Sequence, residues 1–419
     1  MASAGSVMAQ CCPRVQNSAT MTQDTGRSER RAVRRLLGAS FVDFLGSGLF
    51  LAFSAVYFTG VVGLAAGQVG LGMSIAGAAA IAAAIPLGRA ADRYGVRRAL
   101  VLVHALRAAG TAAYAFVGDW WGYLVVVTII TVADQIATAL TQAYVAEIVE
   151  GNSRVKVLAS YRTVINLAIS IGGPLGGLLA GTGLFRTIIL ANAAAYLLVT
   201  AAFATLPQPV RTEEPAPVRR GLGVLRDLRL LSLAGVDGVL QLWQPILNLA
   251  FPLWLAQATT LPDGLLGVLY AINTVLALVF QALIARHITS LRAARRCQPV
   301  AAAFAAAACL LFWYAAQSIP LALFSAALVM LTAAELIAVP AAWTLSYAFS
   351  PDDQRGEYLA AFGMGRSVSR YVLGPILITG MLQLVGGWTW GILALLFVAA
   401  GIIAPLTIRN ADATRSATN

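Results

Sequence analysis

Charge is scarce in this chain. Of 419 residues only 11% are Asp, Glu, Lys or Arg, while 59% are hydrophobic. A soluble domain usually carries about 25% charged residues, so a water-soluble fold of this length would have too little to cover its surface. Lipid as solvent removes that need, and the mean hydropathy of +0.77 agrees. Lysine is nearly missing: Lys156 is the single one, and the other cations are Arg. The Arg, Ala and Gly bias fits a GC-rich bacterial genome and carries no function of its own. Cysteine occurs four times. Cys11 and Cys12 lie in a polar N-terminal stretch, Cys297 in a basic loop and Cys309 inside an apolar run. None has metal-ligand spacing and no disulfide framework is visible, so neither metal nor cofactor is expected. The Gly-rich phosphate loop with its Lys is missing, which argues against ATP-driven pumping. Inside the apolar region Asp352-Asp353 is the lone acidic doublet. A membrane prenyltransferase needs two spaced Asp-rich motifs, so the chain does not read as an enzyme. Residues 1–30 read as disordered, with no apolar signal region before Arg27.

What is present is a long series of apolar runs. Runs of roughly 20 residues, enough to cross a bilayer as helices, recur at about 36–59, 67–88, 98–118, 121–146, 157–181 and 184–206. They resume at about 229–257, 262–287, 297–316, 319–348, 357–383 and 386–408. The fold class expected is therefore all-α, a polytopic membrane protein of twelve transmembrane helices.

A net charge of +11 would suggest nucleic-acid binding in a soluble protein. Here the cations sit between apolar runs, and no nucleic acid is expected. Arg30, Arg31, Arg34 and Arg35 precede the first run. Arg93, Arg97 and Arg98 follow the second, Arg154 and Lys156 the fourth, and Arg211, Arg219, Arg220 and Arg226 the sixth. Arg286, Arg292, Arg295 and Arg296 follow the eighth, Arg355 the tenth and Arg409 the twelfth. The odd-numbered connections hold only Arg186. By the positive-inside rule both termini face the cytoplasm, as an even number of spans requires.

The Pro-rich, charged stretch at 207–228 reads as a linker. It divides an N-terminal tail (1–35) and six-helix bundle (36–206) from a second bundle (229–408) and a C-terminal tail (409–419). A duplication is legible. Asp134 and Glu335 are 201 positions apart, and so are Arg154 and Arg355, Gly173 and Gly374, and Pro174 and Pro375. One ungapped offset aligns an acid, a loop Arg and a Gly-Pro break, which marks a 6+6 parallel repeat.

After the second run stand Gly88, then Asp92-Arg93, Gly95 and Arg97-Arg98. Gly88 lets helices pack closely and Gly95 permits a tight turn. This spacing resembles the signature between spans 2 and 3 of the major facilitator superfamily, departing from it at Val96, where a basic residue is common. The resemblance covers essentially everything after residue 30. It implies two six-helix bundles around a central cavity, working by alternating access. It also implies that Asp92 locks the cytoplasmic side by facing the start of span 11, with Arg93, Glu147 and the 354–357 segment as candidate partners. In span 5, Gly173, Pro174 and Gly177 resemble part of the Gly-Pro motif of the family's drug/proton antiporters, whose fuller pattern wants Gly at Ile169 and Leu178. The span-4 Arg of many such antiporters is replaced here by Asp134.

Four acids lie inside apolar runs: Asp43, Asp134, Asp237 and Glu335, on spans 1, 4, 7 and 10. A charge at mid-bilayer costs at least about 2.5–3.5 kcal/mol on insertion scales, so each needs a reason. In the resembled fold those four spans line the cavity. Asp237, Gln241, Gln244 and Asn248 form one helical stripe, and Glu335 shares a face with Trp343. Acids, amides and aromatics together suit a cationic or amphipathic solute. Arg107, Arg162, Arg366 and Arg370 also lie within spans, equal in number, so some acids are expected in structural ion pairs. Arg162 is read as snorkelling, and His104 and His287 as helix-end residues. The function expected is proton-coupled export of a small organic compound such as a drug, from a monomer in the bacterial inner membrane, with protons, solute and the lipid bilayer as its partners. The alternatives are a proton-coupled importer of a sugar or metabolite, and a membrane enzyme or transporter-like sensor without flux.

Overall fold

The computed structural model describes residues 12–149, 152–208, 227–258, 265–318, 321–350 and 355–418. Among them there are helices and connections but no strand. The first half holds α1 (Cys12–Val56), α2 (Ala66–Tyr94), α3 (Val96–Tyr114), α4 (Trp120–Ile148), α5 (Asn152–Ala180) and α6 (Phe185–Ala204). The second holds α7 (Leu228–Leu240, resuming as Phe251–Ala258), α8 (Leu265–Ala285), α9 (Leu291–Ser318) and α10 (Leu321–Ala348). It ends with α11 (Arg355–Val368, resuming as Gly374–Val385) and α12 (Trp388–Thr418). Ten of these are long and apolar enough to cross a membrane by themselves, and α1 joins them as a span bent by 43°. The twelfth, α3, carries Arg97, Arg98 and Arg107 in 19 residues and is held between α4 and α6.

Local chemistry sets several helix ends. Asp119 caps α4, its Oδ1 accepting from the Gly122 N–H at 2.7 Å, and Asp227 caps α7 by accepting from Arg229 N–H at 3.0 Å. Gly95 turns the chain between α2 and α3 with φ of 93°, a conformation that a side chain would strain. Two cations in the first turns of α3 and α5 act as C-caps for other helices. Arg97 donates to the Ala204 carbonyl at the end of α6, and Arg154 donates to the Ala146 carbonyl of α4 at 2.6 Å.

Some boundaries differ from those expected. Helix α1 begins at Cys12, so residues 12–35 of the supposed disordered tail are helical; once a span is nucleated, extending it is cheap, and Ala32 and Leu36 are buried. Helix α9 begins at Leu291, which puts Arg292, Arg295, Arg296 and Cys297 on a helix rather than in a loop. Helix α12 runs on through 409–418. Most of the linker, at 209–226, lies outside the described residues, as do Asp352 and Asp353. Among the described residues, three spans contain a five-residue wide turn, at Tyr57–Val61, Ile246–Ala250 and Ser369–Leu373. The last one ends where Pro375, which has no N–H, would otherwise interrupt the ladder.

Within the first half α1 packs on α5 and α6, and α3 on α4 and α6; within the second α9 packs on α10 and α12, and α7 on α11 and α12. Across the halves α2 meets α11 and α5 meets α8, two contacts that the duplication interchanges. Both lie toward the end of the molecule away from the chain termini. There the Ile376 N–H donates to Ser74 Oγ at 3.0 Å. Gly177 packs so tightly on Gly267 that a Cβ on either would run into the other helix's backbone. The buried core repeats this asymmetry. One large cluster at the far end includes Tyr57 and Tyr123 from the first half with Phe251, Phe312 and Trp390 from the second. At the terminal end there are two separate clusters, one within each half: Leu36, Leu100 and Tyr144, and Leu230, Leu345 and Phe362. The halves are joined at the far end and parted at the terminal end.

Candidate functional site

Between the parted halves lie the intramembrane charges. In the first half they form one group centred on α3. Asp43 of α1 is buried, and its Oδ1 accepts from Arg107 Nη1 at 2.5 Å. The same guanidinium reaches Asp134 of α4, with Nε 2.5 Å from Oδ1, and donates through Nη2 to Ser47 Oγ and to the Tyr196 hydroxyl, each at 3.3 Å. The Nε contact lies off the N–H axis, so it is an ion contact rather than a hydrogen bond. The Tyr196 ring lies 4.5 Å from the guanidinium carbon, a cation–π contact. His104 Nε2 is 3.9 Å from Asp43 Oδ2, with the imidazole packed on Phe203. Asp43 is thus enclosed, whereas the Asp134 side chain is 47% exposed.

The second half is built differently. Asp237 of α7 is fully buried; its Oδ1 accepts from Gln241 Nε2 at 3.0 Å and its Oδ2 lies 3.5 Å from Arg366 Nη2 of α11. Gln241 Oε1 in turn accepts from Arg370 Nη2, and the Arg370 guanidinium lies over the Trp243 ring at 5.4 Å. The expected wet stripe is therefore corrected. Asp237 and Gln241 are enclosed against α11, and only Gln244 and Asn248 are half-exposed. The regular helix stops after Leu240 and a wide turn follows at Ile246–Ala250, so one 3.6-residue period does not run through all four.

Glu335 of α10 has a different neighbourhood. Its Oε2 accepts from Asn273 Nδ2 of α8 at 3.3 Å, and the same amide donates to Thr332 Oγ1 at 2.9 Å. Among the described residues no guanidinium lies within ion-pair distance of it. Two turns along α10, Trp343 is exposed and stacked on Tyr347 at 6.1 Å. Arg162 of α5 lies over the Trp343 ring at 5.6 Å and Arg366 at 5.4 Å. Arg162 therefore points to a ring of the opposite half.

The remaining sequence candidates fall outside this group. Asp92 and Arg93 are exposed at the end of α2, Arg93 over the Tyr94 ring at 5.9 Å, and Arg98 is exposed; the close helix packing expected at Gly88 is corrected, since a Cβ there would meet nothing within 4 Å. Of the 354–357 segment, Gln354 is outside the described residues. Gly173 and Gly177 pack against α8 near Tyr270 and Gly267, and Gly374 packs against Pro245, with Pro375 buried beside it. These are packing positions. Sequence reasoning missed Arg107 as the hub of the first half, and missed His104, Tyr196 and Asn273. His104 is 1% exposed, not a helix-end residue at a polar boundary. The available signal was the odd placing of a His and an Arg one turn apart in an apolar run.

Comparison with known proteins places this architecture. The profile of the Major Facilitator Superfamily matches residues 36–370. The MFS-type transporter YttB of Bacillus subtilis (strain 168) is 22% identical over 353 residues, which is 83% of this chain and 87% of that protein. The MFS-type transporter YdeE of Escherichia coli (strain K12) is 26% identical over 152 residues, which is 36% of this chain and 38% of that protein. Among solved structures, the nucleoside transporter NupG superposes with a TM-score of 0.71 at 16% identity, covering 91% of this chain and 98% of that one. A D-xylose-proton symporter superposes with a TM-score of 0.69 at 15% identity, covering 89% and 96%. At such identities the likeness is one of fold.

Proposed function

Because the chain belongs to the major facilitator superfamily of secondary transporters, we propose that it carries a small organic solute across the bacterial cytoplasmic membrane with proton binding at Glu335 as the coupling step. Residues 36–206 and 229–408 are the two moving halves, and the parted terminal end is the cytoplasmic one, by the distribution of arginines.

One observation carries the coupling role. Asp43, Asp134 and Asp237 each have a guanidinium within 3.5 Å, whereas Glu335 has an amide. A proton can join or leave this carboxyl group without breaking an ion pair, which is what a coupling site needs as its surroundings change between wet and dry. Asp134, exposed to the cavity at the matching position of the first half, is the symmetry-related acid, held by Arg107.

Export of a cationic or amphipathic compound follows if solute and proton compete for Glu335, as in an antiporter. A second reading, uptake with the proton, is favoured by Arg162: among the described residues no acid lies within ion-pair distance of this cavity cation, which suits a solute with negative charge. The test uses inside-out vesicles and a pH-sensitive dye. A panel of organic ammonium, carboxylate and neutral sugar compounds is screened for solute-evoked proton movement. Glu335→Gln should abolish that movement while solute exchange persists, and Asp134→Asn should retain most of it. Proton movement of wild-type size in Glu335→Gln would refute the assignment.

A further inference from the structure

The arginines at the terminal mouth of the cavity go beyond coupling. Trp343 projects from α10 with the guanidinium of Arg162, from the first half, and that of Arg366, from the second, each within 5.6 Å of its ring centre. Asp237 lies 3.5 Å from Arg366, and no acid comparably close accompanies Arg162 among the described residues. Arg366 Nε and Arg370 Nε are buried and have no hydrogen-bond partner. Two like charges on one indole repel, and the ring's quadrupole offsets only part of that. A cleft of about 620 Å³ opens beside Trp343 and Tyr347, lined by second-half residues such as Ile288, Thr289, Pro340 and Thr344. Arg162 and Arg366 do not line it, so it offers room for the flat ring of a small organic molecule and not for its charged group.

We propose that Arg162, Trp343 and Arg366 form an anion clamp that selects a planar organic anion, a carboxylate joined to a flat ring, by stacking the ring on Trp343 and Tyr347 and bridging guanidinia from both halves. This rests on the reading that the space between the halves carries the solute. A guanidinium fork matches a carboxylate with two parallel N–H donors, which Lys cannot reproduce. Because the two cations come from different halves, the bound anion ties the halves together across the mouth. Glu335 lies eight residues deeper on α10, about 12 Å along the helix axis. Such an anion does not displace the proton there; solute and proton ride together, so the clamp points to uptake rather than export.

The test is calorimetric titration of the purified full-length protein in detergent with naphthoate, its neutral amide and naphthylmethylammonium. Naphthoate should bind at least about ten-fold more tightly than the amide, and the ammonium compound most weakly, as expected for a charge-assisted pair. Arg162→Gln should erase the preference for naphthoate over the amide, Arg162→Lys should restore part of it, and Trp343→Ala should weaken all three probes. Size-exclusion and thermal unfolding profiles confirm that each variant is folded, and an unfolded Arg162→Gln leaves the comparison to Arg162→Lys, which must then lie below wild type. Equal binding of the three probes, tighter binding of the ammonium compound, or no binding of any overturns the clamp. Glu335→Gln should keep the preference for naphthoate. Loss of coupling without loss of preference, or the reverse, therefore tells which of the two readings has failed.

Discussion

Arg107 Nη1 stands 2.5 Å from Asp43 Oδ1, joining α3 to α1 in a part of the protein where Asp43 is 5% and Arg107 3% exposed. The same guanidinium serves Asp134, so one cation answers for two carboxylates. Breaking a buried pair from one side costs about 3–5 kcal/mol, because the partner is left charged and alone. Arg107→Gln should therefore destabilise the protein more than Asp43→Asn, and the double variant should be more stable than the sum of the two losses implies. Thermal unfolding of the purified variants measures this. Additive losses would show that the two residues do not act as a pair.

The exposed Asp92 gives a contrasting expectation. Located at the end of α2, away from the cavity charges, it should act on closure of the terminal end and not on solute recognition. Asp92→Asn should slow transport several-fold while leaving the affinity measured in detergent close to wild type. An affinity loss as large as the transport loss would place the residue in the binding site instead.

Gly177 and Gly267 set the distance between α5 and α8 at the far end. Gly177→Leu should prevent that end from closing and shift the protein toward the opposite state. A single cysteine replacing Thr138 on α4 reports the shift. Its alkylation by an impermeant reagent added on the terminal side should fall several-fold in the Gly177→Leu background. Unchanged labelling would mean that the two helices adjust without moving the halves.

Orientation in the membrane is tested by alkaline-phosphatase fusions. Fusions after Gly151 and Arg220 should be inactive, and fusions after Asp119 and Gln317 active. A strong signal at Arg220 would separate the two halves onto different sides and break the six-plus-six arrangement.

The sequence made the spans and their number legible because lipid demands long apolar helices, and the recurrence of Arg agreed with an even count. The positions of the four acids were equally plain, since each interrupts an apolar run. Their partners were not. Asp43 and Arg107 are 64 residues apart, and Asp237 and Arg366 are 129 apart; which helices become neighbours is decided by packing, which no periodicity within one helix records. The Asp237 stripe was misread for a local reason, because a wide turn inside α7 changes which side chains share a face. The role of His104 was hidden in the same way, as burial depends on α1 and α6 closing over it.

The single core at the far end and the paired cores at the terminal end have an energetic corollary. To face the other way, the protein must part the side chains of the shared cluster, among them Phe58, Phe251 and Tyr270. Each 100 Å² of apolar surface wetted in this way costs about 2.5 kcal/mol. A carrier that cycles freely needs its two faces to be nearly equal in free energy, so the walls of the open mouth must seal against each other with comparable apolar area. The mouth's exposed rings and aliphatic side chains are thus the dormant half of a reversible seam, and trimming them would trap the protein in the form seen here without touching any charged residue.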